Sequence, residues 1–78
     1  MINRIKVKRK NFITKYAALT FRLISTGEEK RIGMSLGALT LYIKNIERHP
    51  NSEVILIEVP HGYVQKTKDF LKTLSEIK

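Results

Sequence analysis

Three changes of hydrophobic period predict an α+β fold for this 78-residue chain. Up to Met34 apolar residues alternate with polar ones, as in half-buried strands; from Ser35 they recur every three or four residues, as along a helix. The two periods then alternate once more, and at 9.0 kDa the chain has room for one domain, residues 1–78. The expected architecture has the order β-β-β-α-β-α, a mixed four-stranded sheet, and both helices packed mainly on one face.

Arg4 to Lys10 forms the first strand, with Ile5 and Val7 facing one way and Arg4, Lys6, Lys8 and Lys10 the other. Arg9 falls at its fraying end. Asn11 to Lys15 connects, although Phe12 and Ile13 are apolar enough to pack. Tyr16 to Ile24 alternates again, turning Ala17, Leu19, Phe21 and Leu23 inward and Tyr16, Ala18, Thr20 and Arg22 outward. Ser25-Thr26-Gly27-Glu28 is turn chemistry, and Lys30 to Met34 returns as an antiparallel partner with Ile32 and Met34 inward.

Leu36, Leu39, Tyr42, Ile43 and Ile46 then line one stripe of a helix, with Ser35 as N-cap and Pro50 as stop. Gly37 weakens its first turn, which a close packing contact would explain. Glu53 to Val59 carries apolar residues on both faces, Val54 and Leu56 against Ile55, Ile57 and Val59, and therefore reads as a central strand. Pro60-His61-Gly62 ends it. Tyr63, Val64, Phe70, Leu71, Leu74 and Ile77 form the stripe of a second helix. A right-handed crossover through the first helix would make strands three and four parallel. Leu19, Phe21, Leu23, Ile32, Leu39, Ile43, Leu56, Phe70, Leu71 and Leu74 are the expected core.

Charge is the strong deviation: 15 Lys and Arg against 7 acids, net +8. Residues 1–34 hold nine Lys or Arg and two acids, whereas residues 35–78 hold six and five. Uniform compositional drift does not produce such a skew. Four cations on one strand face, about 6.6 Å apart at 3.3 Å per residue, make a positive stripe. Tyr16, Arg22 and Arg31 extend it if the first three strands lie side by side. Sheet faces of this kind grip phosphates and stack bases, and edge strands also carry Lys simply to block pairing.

Arg4, Lys6, Lys8, Lys10, Tyr16, Arg22 and Arg31 are thus the candidate nucleic-acid-binding residues, for DNA or RNA at low sequence specificity. The alternative is a small modulator or inhibitor that docks on a partner protein, an acidic surface being the fitting one. A second candidate anion site is the turn His61-Gly62-Tyr63, which opens a helix. His61 could also act as an acid or base there with Tyr63 or Lys66, but a tight strand-to-helix turn accounts for the same residues. His49 falls in the last turn of the first helix, where a protonated ring offsets the dipole.

Enzymatic function is not expected: the serines have no visible base partner and the acids lack metal-ligand spacing. Cofactors and metals are not expected either, with no cysteine and only two histidines. Gly33 to Gly37 is a G-x-x-x-G and matches neither a KH loop nor a dinucleotide fingerprint. No apolar run approaches a membrane span and no secretory signal leads the chain, so a cytoplasmic protein is expected. A core this small and an apolar fourth strand point to a homodimer.

Overall fold

The computed structural model describes residues 5–11 and 15–77; Arg4, Phe12, Ile13 and the Ile77 side chain lie outside the described set. Its elements follow the expected order: β1 (Lys6–Arg9), β2 (Tyr16–Leu23), β3 (Glu29–Ser35), α1 (Leu36–Arg48), β4 (Ser52–Val59) and α2 (Val64–Ile77). The four strands make one mixed sheet in the order β1-β4-β2-β3. β2 is antiparallel to both β3 and β4, and β1 is parallel to β4. β3 and β4 therefore run the same way, as expected, but β2 lies between them. β1 likewise does not touch β2, because β4 separates the two.

One apolar cluster joins the sheet to both helices. Ala17, Leu19, Met34, Val54, Ile57 and Val59 meet Leu39 and Ile43 of α1 and Leu71 of α2, with Phe21, Ile32, Phe70 and Leu74 half-buried against them. Both helices thus cover one face of the sheet, and among the described residues no layer covers the other. α1 packs over β2, β3 and β4, whereas α2 rests chiefly on β1.

Some positions differ from the expectation. Tyr42, assigned to the stripe of the first helix, is exposed, as is its neighbour Leu41. Leu23 is half-buried, as is Leu56, which lies on the uncovered face. The reason for Leu56 is a bulge: Thr20 opposes Leu56, but the next residue, Phe21, opposes Val54. Ile55 is the extra residue, so Ile55 and Leu56 share one outward step and Val54 turns inward beside Ile57. Two-sided hydrophobicity in β4 thus records a bulge as well as a central position. The Val54 N–H donates to the Glu47 carboxylate of α1 at 2.8 Å.

Specific bonds among the described residues tie the connections. Ser35 is the N-cap by position, but its hydroxyl makes no cap bond; the Leu36 N–H instead donates to the Lys15 carbonyl at 3.1 Å. At the other end of α1, His49 is the C-cap, and its Nδ1 accepts the Asn51 N–H at 3.3 Å. The hairpin turn passes through Gly27 at φ +75° and is held to the α1–β4 loop by Asn51, whose carbonyl and side-chain oxygens accept from Ile24 and Ser25. Around Gly37, expected to be a close contact, a side chain would meet only open space.

Candidate functional site

The strand registers lay the uncovered face out as rows running across the sheet. One row is Lys6, Leu56, Thr20 and Arg31; the next is Lys8, Glu58, Ala18 and Gly33. Lys6 and Lys8 of β1 lie on one edge, about 6.6 Å apart along the strand. Arg31 of β3 lies on the opposite edge. Side-by-side pairing of the first three strands would have joined these cations, and the interposed β4 prevents it.

β4 brings a carboxylate into the middle. Glu58 is only 5% exposed although it sits on the open face, because side chains from both edges close over it. Arg31 Nε donates to its Oε1 at 2.7 Å, and Lys10 Nζ lies 3.5 Å from its Oε2. Burial pushes the Glu58 carboxyl up, but the Arg31 hydrogen bond and charge, with the Lys10 charge, outweigh it and hold the group below the ordinary glutamate range. The same partnership raises Arg31. At the far end Arg22 donates from Nε and Nη2 to one oxygen of Glu53, at 3.0 and 2.6 Å. That bond, with the Glu53 charge, raises Arg22, and Glu29 adds to it from the neighbouring strand.

Of the seven residues predicted to bind nucleic acid, Arg4 falls outside the described residues. Lys10, Arg22 and Arg31 are engaged by carboxylates, while Lys6 and Lys8 carry no carboxylate partner among the described residues. Tyr16 is half-exposed, its hydroxyl lying over Gly33; a Cβ at that glycine would collide with the Tyr16 oxygen. The absence of a side chain on β3 is what lets the ring lie across the strand.

The turn candidates assemble differently from the expectation. His61 is exposed, and its Nδ1 accepts from Arg9 Nη1 at 3.2 Å, so Arg9 reaches around the end of β1 to the turn. Gly62 turns the chain at φ +94°. The Tyr63 N–H, offered by the sequence as an anion donor, is spent on the Pro60 carbonyl at 3.1 Å. The Tyr63 ring carries the Lys66 ammonium 5.4 Å from its centroid and leans into a cleft of about 150 Å³ between the helices, lined with Leu36, Leu39, Ile43 and Phe70.

Arg9 ends β1, as expected, but its reach to His61 and the burial of Glu58 between two cations are not read from the sequence. A lone acid inside the run Val54–Val59 of a basic chain was the available signal, since such a group is kept charged only by cations brought to it. Neither helix is long and apolar enough to cross a membrane. No known family matches the chain, and no curated protein or solved structure is detectably similar to it.

Proposed function

We propose that this protein binds nucleic acid through the uncovered sheet face, with little sequence specificity, by setting the β1 edge against phosphates. The observation that carries this reading is the pairing pattern: in a strongly basic chain, Lys6 and Lys8 stand on an open face without carboxylate partners among the described residues. Arg31 and Arg22 are less available than their number suggests, because each already holds a carboxylate. Lysine is a point charge on a flexible stem, so phosphates are gripped without bidentate reading of bases.

Two to three neutralised phosphates give a log–log salt slope of roughly −2 to −3 on duplex DNA. Lys6→Gln combined with Lys8→Gln should flatten that slope by about 2 while the thermal midpoint stays put. An unchanged slope in the double variant would reduce the basic edge to a solubilising one.

A second reading, docking on a partner protein, is favoured by a different region. Ile24 is 55% exposed beside the hairpin turn, and β3 forms the second edge of the sheet. An extended segment of a partner could add to that edge through backbone hydrogen bonds. Binding of this kind survives moderate salt and is insensitive to Lys6 and Lys8, which separates the two readings in one titration.

A further inference from the structure

We infer that the ligand of the open face is a single strand rather than a duplex, an inference that rests on the proposed nucleic-acid reading. The face is asymmetric in a way that matches one strand. Its cations Lys6 and Lys8 form a line along one edge, and inward from them lie the half-buried apolar side chains Ile55 and Leu56 and the Thr20 methyl. β4 stands about 4.8 Å from β1 and β2 as far again, so a base turned inward from a phosphate on Lys6 lands over Leu56 and Thr20.

Glu58, next in the row from Lys8, is closed over by Arg31 and Lys10 and is not offered to the ligand, so the floor open to bases is the apolar part of the face. Tyr16 adds a half-exposed ring beyond that row, its hydroxyl end lying over the bare backbone of Gly33. Phosphates on a rim with bases on an apolar and aromatic floor is the arrangement an unpaired strand can satisfy. A duplex keeps its bases stacked inside and offers the floor only phosphates and sugar, leaving Leu56 and Ile55 against a charged surface.

The test is fluorescence anisotropy at fixed salt with four labelled probes: a single-stranded oligonucleotide, the same sequence as a duplex, an abasic sugar-phosphate strand of equal length, and inorganic polyphosphate. The single strand should bind at least tenfold more tightly than the duplex and the abasic strand. Tyr16→Ala should weaken single-strand binding about fivefold or more without altering the salt slope, and should leave duplex binding unchanged. The abasic probe reads the contribution of the bases even if Tyr16→Ala fails to fold. Equal or tighter binding to duplex, abasic strand or polyphosphate overturns the single-strand inference while the basic-edge reading stands. Salt-dependent binding to none of the probes overturns both.

Discussion

On its helix-covered face the sheet is a continuous apolar layer in which Leu19, Val54, Ile57 and Val59 are fully buried. On its open face the same strands carry Lys6, Lys8, Leu56, Thr20 and Glu58. The covered face is governed by volume: each side chain is held by many weak contacts with the neighbours packed around it. The open face is governed by pairing. There the effect of a residue depends on which residue the register sets beside it, and Glu58 between Lys10 and Arg31 is the case in point.

The largest effect should come from breaking the covered face. Leu19→Ala removes a fully buried side chain and should cost about 2–5 kcal/mol, much of the roughly 4–12 kcal/mol a chain of this size holds. Leu56→Ala, one step along the register but on the open face, should cost only about 1 kcal/mol. Urea melts at several protein concentrations would compare them. A Leu56 variant as damaging as the Leu19 variant would mean that a second copy covers the open face in solution, the dimer expected from the sequence.

Next in size is Glu58→Gln, expected to cost about 1–2 kcal/mol near neutral pH, since Arg31 remains half-exposed and water replaces part of the lost partner. The sign of its pH dependence follows from the lowered folded-state pKa. The unfolded chain takes up the proton first as pH falls, so the stabilisation is complete above the ordinary glutamate range of about 4.3 and is lost as pH drops through the depressed folded value. Stability measured from pH 7 to pH 2 should therefore fall less steeply in the Gln variant. Parallel acid limbs in the two proteins would show that the ion pair is not formed in solution.

These two sites also explain what was legible beforehand. Leu19, Leu39, Ile43 and Leu71 could be assigned to the core from period alone, because alternation names the inward face under any strand order. Leu56 could not, because a bulge shifts the phase inside a run that is apolar throughout. Nor could the partners of Lys10, Arg22 and Arg31 be read, since they depend on β4 entering between β1 and β2, and strand order is a property of the whole chain. Tyr16 was identified as an outward aromatic; its contact with Gly33 required the β2–β3 register.

Gly33→Ala tests that contact on the open face. A Cβ there would fall on the Tyr16 hydroxyl and the ring carbon that bears it, so the ring must move aside, at a cost of about 1–2 kcal/mol. In a Tyr16→Ala background the same change should cost little or nothing, and a double-mutant cycle over the four proteins isolates the interaction. A cost that persists without the ring would place the strain in the backbone instead.

The smallest effect is a gain, and it comes from the same substitution four residues on. Gly37 is the second residue of α1, exposed, without positive φ, and with no atom near enough to meet a Cβ. Alanine there narrows the unfolded ensemble and favours the helical state, contributing roughly 0.5–1 kcal/mol. For a domain of this size that corresponds to a rise in Tm of roughly 2–8 °C, readable by circular dichroism. Gly33→Ala and Gly37→Ala should thus move the midpoint in opposite directions, one because a register brings a ring over the glycine, the other because nothing lies over it. If Gly37→Ala lowered the midpoint instead, something would have to pack against the first turn of α1 in solution, and the exposed Leu41 and Tyr42 on the same helix would be the next positions to examine.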